Sequence, residues 1–272
     1  MPPVEAQKGD ERNTGYVFDN ASVQASSRFK ALEAIFDAGS ERVLLQLGVK
    51  PGWSCLEVGA GSGSIAAWLS QRVGRDGHVL ATDIDTRHLR HLRFDNVTVK
   101  DHDVRHTPLP KSHFDLVHMR LVLMHLRNRQ EVLERLVSTL KPGGWLVVED
   151  FDSLSLPPDP KVNPAESALA TLAARLQVMT DRGLQLRCGR LLDGWFRRLG
   201  LREVGNEGRL FMWRGGSAGA DHMRANIEQL RTGILACGVS EPEFQQDLLR
   251  LGNDEVAFPS PIMWAAWGRR SH

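Results

Sequence analysis

Between residues 28 and 47 the apolar side chains recur at helical spacing: Phe29, Leu32, Ile35 and Phe36, then Val43, Leu44 and Leu47. Asp37-Ala38-Gly39-Ser40 interrupts this run, which predicts two helices with Ser40 capping the second. Gly48 ends that helix, Pro51-Gly52 makes a turn, and residues 53–58 read as a buried strand. Ile65, Ala66, Trp68, Leu69 and Val73 then mark a helix. The alternation continues with a strand at 78–82, a short helix at 87–92, strands at 96–100 and 114–119, an amphipathic helix at 130–140 and a strand at 145–149. Strands that alternate with helices in this way imply parallel βαβ units in an open twisted sheet. Ligands of such sheets bind beyond the carboxyl ends of the strands, where the strand order reverses.

After Asp152 the pattern changes. Leu156-Pro157-Pro158-Asp159-Pro160 is a break, followed by an Ala/Leu-rich helix at about 165–179 and another helix at 190–199. Strands are expected near 201–204, 210–213 and 262–267, with helical segments around 220–237 and 241–251. The expected division is an N-terminal tail and lid (1–27), a ligand-binding core (28–152), a helical cap insert (153–190), and a C-terminal part of the core (191–272) with a helical insert at about 214–256.

Composition narrows the function. With 34 Lys+Arg against 33 Asp+Glu in 272 residues the net charge is +1, which argues against a nucleic-acid substrate. Cys55, Cys188 and Cys237 show neither CxxC nor metal-ligand spacing, which suits a reducing cytoplasm. No apolar run approaches the ~18 residues of a membrane span. His88, His91, His102 and His106 complete no metal-ligand set, so no metal is expected.

The run Glu57-Val58-Gly59-Ala60-Gly61-Ser62-Gly63 lies between strand and helix. Glycines there let backbone N–H groups approach a ligand, and the following helix start favours an anion. Dinucleotide-binding turns place a third glycine where Ser64 stands. Asp83, at the end of the next strand, suits the hydroxyls of an adenosine ribose in NAD or in S-adenosylmethionine alike. Past the third strand, Asp103 can accept the adenine amine while Val104 packs on the ring, or it is a solvated loop acid.

Motifs, spacing and order resemble the class I S-adenosylmethionine-dependent methyltransferases, bacterial small-molecule type, similar to ubiquinone/menaquinone-biosynthesis and natural-product tailoring enzymes. The resemblance rests on LEVGAGSGSIAAWLS (56–70), VLATDID (79–85), HDVRHTPLP (102–110), FDLVHMRLVLMHL (114–126) and LKPGGWLVVEDFD (140–152). It implies a Rossmann-like, seven-stranded, mostly parallel sheet whose last strand is antiparallel, with inserted helical cap segments. It also implies S-adenosylmethionine as cofactor, with Glu57, Gly59, Gly61 and Gly63 around its methionine part. Asp83 would then take the ribose, Ile84, Asp103 and Val104 the adenine, and Met119 and Arg120 the sulfonium region. Similar enzymes fold the segment before the first core helix over the cofactor, which would make Tyr16, Phe18, Gln24 and Arg28 a lid. Some carry a catalytic histidine where His125 stands here, with a second polar position at Asp150.

His125 is accordingly the candidate general base, with a plain hydrogen bond to a carbonyl as the alternative. Asp150 either faces the acceptor or caps a turn. Phe151, Leu172, Met179, Phe211, Trp213 and Met223 either line an apolar acceptor pocket or belong to the core. The expected reaction is methyl transfer to an oxygen or nitrogen of a small metabolite, a secondary-metabolite intermediate, by a monomer or homodimer. A nicotinamide-dependent oxidoreductase is disfavoured by Ser64, by Glu57 and by the lack of a Tyr-x-x-x-Lys pair, since Tyr16 is the sole tyrosine. A non-catalytic partner subunit would not need Asp83 together with the glycines. Nucleic-acid or protein methylation would call for an Asn-Pro-Pro-Tyr/Phe-type tetrapeptide where Arg120-Leu121-Val122-Leu123 stands.

Overall fold

The computed structural model describes residues 23–155 and 169–271. Tyr16 and Phe18, the rest of the expected lid before residue 23, and the 156–160 break lie outside the described residues, as does the side chain of Gln24.

Helix α1 (Val23–Gln46) leads to β1 (Ser54–Val58), α2 (Ser64–Val73), β2 (His78–Asp83), a 3-10 turn over Thr86–Leu89 and β3 (Val97–Asp101). Next come β4 (Phe114–Arg120), a 3-10 turn over Leu123–His125, α3 (Arg129–Thr139) and β5 (Leu140–Asp152). The second half holds α4 (Thr171–Asp181), α5 (Cys188–Arg198), β6 (Arg202–Arg209), β7 (Met212–Arg214), α6 (Ala218–Gln229), α7 (Arg231–Ala236), α8 (Glu241–Arg250), β8 (Ala257–Pro259) and β9 (Ile262–Arg269).

Seven strands form one sheet, as expected, and their order is β3-β2-β1-β4-β5-β9-β6. The strands run parallel except β9, which pairs antiparallel with both β5 and β6. Because side chains alternate along a strand, the sheet feeds two cores. Cys55, Leu116 and Val147 pack with Val43 and Leu44 of α1 and Leu69 and Val73 of α2. Leu56, Val117, Leu146 and Val148 pack with Leu133 and Leu136 of α3 and Leu192 and Phe196 of α5.

The predicted break in the first helix is absent: α1 runs unbroken through Asp37-Ala38-Gly39-Ser40. Ser40 does not cap; its buried hydroxyl donates to Phe36 O at 3.2 Å, a pattern compatible with a continuing helix. Gly39 is there for space. A Cβ on it would lie 1.6 Å from Nη1 of Arg209 in β6.

Helices α6 to α8 enter and leave through β7 and β8, a separate antiparallel pair that matches Met212 with Pro259 and Arg214 with Ala257. Ser217 caps α6, and Ser240 with Glu243 forms a reciprocal capping box on α8. Helix α6 lies along α1, which brings the insert to the end of the sheet where β1, β2 and β4 terminate. Among the described residues no helix is long and apolar enough to cross a membrane.

Candidate functional site

The order of strands reverses between β1 and β4, and a cleft of about 1110 Å³ out to its open mouth lies beyond their carboxyl ends. Its floor is the turn from Glu57 to Ser62. One side is formed by Asp83 and Ile84 after β2 and by His102–Arg105 after β3. The other comprises Arg120, Leu121, Val122, His125 and Leu126 after β4, and Phe29, Leu32 and Glu33 of α1 close it above.

The glycines divide by role. Gly59 and Gly61 have φ of 68° and 58°, left-handed values that strain any residue with a Cβ. A Cβ on Gly59 would also stand 2.2 Å from Val122 Cγ2. Gly63 does not line the cleft, which corrects its expected place. It caps α2 in the left-handed conformation, and a Cβ there would meet Leu92 Cδ1 at 2.6 Å. Its role is to let α2 start against the 3-10 turn.

Asp83 is buried and accepts from Gly61 N at 2.9 Å and Asp85 N at 3.0 Å. Burial pushes its pKa up, against the pull of those two backbone donors. Asp85 caps the turn after β2 by accepting from Arg87 N, a role that suits an Asp just ahead of Thr86-Arg87-His88. Asp103 lines the cleft with both oxygens bound to Arg105, whose Nε and Nη2 donate at 2.9 and 2.8 Å. Burial would raise the Asp103 pKa, but these bonds hold it below the usual carboxylate range. Ile84 and the buried Val104 supply apolar walls on the same side.

Beneath the turn lies a charged ladder that the sequence reading did not single out. Glu57 and His118 are register partners on β1 and β4. His118 Nδ1 meets Glu57 Oε2 at 2.7 Å and its Nε2 meets Glu149 Oε1 of β5 at 3.2 Å. Arg209 of β6 donates to the other oxygen of Glu149. Burial disfavours a charged His118, yet the two glutamates outweigh it and lift its pKa to about 9. Burial likewise works against the Glu149 anion, but His118 and Arg209 draw its pKa down to about 2. The signal was a histidine within the buried run Leu116–Met119 of β4.

Arg120 lines the cleft, with Nη2 on Asp37 at 2.7 Å and Nη1 on Ser40 at 2.9 Å, which ties β4 to α1. Met119, expected beside it, points away: it is fully buried in the α3/α5 core because it alternates with Arg120 along β4. Leu121 follows with φ of 56° and donates its N–H to Glu149 O at 2.8 Å. This left-handed, non-glycine residue at the rim is strained backbone held by its surroundings.

Asp150 lines neither this cleft nor the neighbouring cavity, which corrects the expectation that it faces an acceptor. It is fully buried and accepts from Met124 N at 2.8 Å and Phe151 N at 2.9 Å. Burial lifts its pKa to about 7. Asp150 therefore fixes the 3-10 turn that carries His125.

His125 stands at a junction. It lines both the cleft and a second cavity of about 530 Å³, and the two share Leu32, Leu121 and His125. Burial, then the positive charges of Arg28 and Arg129, lower its pKa to about 3, so the imidazole is neutral at physiological pH. Phe151, Met179, Trp213 and Met223 line the second cavity. Leu172 lines a neighbouring cleft instead, and Phe211 packs against the core. Among the described residues no cluster of three or more His, Cys, Asp or Glu could hold a metal ion.

Residues 56–148 match a methyltransferase domain family. The ubiquinone/menaquinone biosynthesis C-methyltransferase UbiE of Laribacter hongkongensis is 30% identical over 146 residues, 50% of this chain and 60% of that protein. Methyltransferase str3 of Strobilurus tenacellus is 40% identical over 105 residues, 36% of this chain and 35% of that one. The aligned regions thus span between 35% and 60% of the lengths of these two proteins. Among solved structures, Haemonchus contortus phosphoethanolamine N-methyltransferase 2 superposes with a TM-score of 0.59 at 16% identity, over 96% of this chain and 60% of that one. Residues 56–148 thus resemble a methyltransferase domain, and the chain shares its fold with a solved methyltransferase.

Proposed function

We propose that the chain binds S-adenosylmethionine in the cleft at the switch point and transfers its methyl group to an oxygen or nitrogen of a small metabolite, a secondary-metabolite intermediate, in the second cavity. The observation that carries this reading is the pairing of an open, left-handed Gly59–Gly61 backbone with the buried Asp83 carboxylate across one cleft. When bound, S-adenosylmethionine supplies a methyl group on a positively charged sulfur, which takes the bonding pair as a nucleophile attacks in line.

The residues suit that group. The turn around Gly59 and Gly61 gives the methionine part close backbone approach, with Glu57 beneath it. Asp83 is placed to accept the ribose hydroxyls, and Ile84 and Val104 to flank the adenine, with Asp103 at its edge. Leu32, Leu121 and His125 stand between the cleft and the second cavity and would set the line of attack. A histidine whose pKa is about 3 is a weak proton acceptor at neutral pH. His125 therefore orients the acceptor as a neutral imidazole, and the nucleophile arrives already without the proton, as a neutral amine or an oxyanion, so that the transfer step itself moves no proton.

Calorimetric titration of the chain with S-adenosylhomocysteine and, separately, NAD tests the reading. The homocysteine product should bind and raise the melting temperature while NAD does not. Equal stabilisation by NAD, or none by S-adenosylhomocysteine at millimolar concentration, would sink it.

A further inference from the structure

Helix α4 carries a cation on its buried face. Arg175 is only 5% exposed, lines the second cavity, and forms no ion pair with any carboxylate among the described residues. Its Nη1 reaches Met179 Sδ at 3.5 Å, and its Nε has no hydrogen-bond partner among the described residues. A buried guanidinium without a counter-ion destabilises a fold. Desolvation alone accordingly draws its pKa down to about 10.

Most of the polar groups around it are donors too, the exception being Asn226 Oδ1, an acceptor without a partner among the described residues. His222 and Asn226 of α6 line the same cavity, and Asn226 Nδ2 lies 3.0 Å from His222 Nε2. Burial, then Arg28 and Arg175, lower the His222 pKa to about 3. The ring is therefore neutral, and with Asn226 Nδ2 as the donor to Nε2 the proton sits on Nδ1. That N–H, like Trp213 Nε1–H, has no partner among the described residues. Arg28 of α1 completes the lining, 2% exposed, with Nη1 donating to Gln229 Oε1 at 3.4 Å. The neighbouring acids are committed elsewhere: Asp150 to Met124 N and Phe151 N, Asp152 to Arg190 and Ser155, and Asp247 to Thr171 and Arg250.

We propose that this cavity binds an apolar carboxylic acid, its carboxylate held by Arg175 with His222 and Trp213 as further donors, and its far end at His125 facing the cofactor cleft. The class follows from the lining. A planar fork of N–H donors matches a carboxylate in two parallel bonds, while Phe151, Met179 and Met223 offer only apolar contact. The assignment of this acid as methyl acceptor rests on the methyltransferase reading; the anion site itself does not.

The test uses the full chain with benzoate, phenylacetate and octanoate, the corresponding neutral amides, and inorganic phosphate, each with and without S-adenosylhomocysteine. At least one acid should bind and raise the melting temperature where its amide does not. Arg175→Met should weaken that binding by about tenfold or more and leave S-adenosylhomocysteine affinity within about twofold. Arg175→Lys, which keeps the charge and loses the fork, should fall between. Without ligand, Arg175→Met should melt higher than the native chain, because it removes an uncompensated charge. Equal binding of acids and amides, a preference for phosphate, or no acid response that Arg175→Met removes would overturn the proposal. A lower melting temperature for Arg175→Met would overturn it as well, because a stranded internal carboxylate would mark Arg175 as a structural ion-pair partner. Loss of S-adenosylhomocysteine binding by the native chain would sink the cofactor reading instead, with the acid titrations still deciding the anion site.

Discussion

Replacing His118 with leucine removes the cation from between two buried carboxylates, Glu57 and Glu149, under the glycine turn. The rise of its pKa from 6.5 to about 9 corresponds to roughly 3 kcal/mol, at about 1.4 kcal/mol per pH unit. A raised folded-state pKa means that this stability is whole below pH 6.5 and lost as the pH climbs through about 9. Glu149 sets the acid limit: depressed from 4.5 to about 2, its contribution is present above pH 4.5 and lost as the pH falls through about 2. His118→Leu should therefore cost about 3–5 kcal/mol near pH 5.5, the range for breaking a buried pair. Near pH 9.5 the penalty should shrink by roughly 3 kcal/mol, because the native chain has by then lost the same charge. Urea unfolding followed by tryptophan fluorescence at three pH values measures the gap. A gap that stays constant from pH 5.5 to 9.5 would refute the reasoning, for it would mean that His118 is neutral in the fold.

Three further outcomes are expected. Asp83→Ala should weaken S-adenosylhomocysteine binding by about tenfold or more, since hydrogen bonds to a charged group contribute about 1.5–3 kcal/mol; calorimetry would show it, and an unchanged Kd would remove Asp83 from the ribose. Gly59→Ala combines left-handed strain of about 1–2 kcal/mol with overlap on Val122 of about 1–3 kcal/mol, so denaturant unfolding should report a loss of roughly 2–5 kcal/mol. His125 and His222, each lowered from 6.5 to about 3, are held neutral in the fold and must charge on unfolding, so native stability should drain away as the pH falls below 6.5. His222→Gln should flatten that decline, and an identical acid limb in the variant would show that His222 is already protonated in the native state.

What could be read from the chain alone was local. The glycine turn, Asp83 at a strand end and the Asp85 cap depend on neighbours a few residues away, and the strand–helix alternation fixes the parallel part of the sheet. What escaped was set by distant partners. Gly39 looked like a helix break because the Arg209 side chain that needs its space comes from β6. Asp150 left acceptor contact and turn cap both open, because the two backbone N–H groups that decide for the turn are invisible in a string of letters. Met119 was assigned to the cleft by analogy, although the two-residue period of β4 sends Arg120 there and Met119 to the core. Arg175 carried a legible sign, a cation on the same helical face as Thr171 and Met179. Its meaning needed the cavity on the other side.

The neck formed by Met212–Arg214 and Ala257–Pro259 has an evolutionary consequence. Everything between its two strands returns to where it left, so β6 and β9 keep their register whatever lies between them. Lengthening a loop within that stretch costs little beyond loop closure, which grows slowly with length, whereas Ala220, Met223 and Ile227 are tied to the main core and constrain α6. Yet it contributes His222, Met223 and Asn226 to the second cavity and nothing to the cleft over the glycine turn. Changes within that one contiguous stretch can therefore alter one wall of the second cavity while the cleft over the glycine turn keeps its lining.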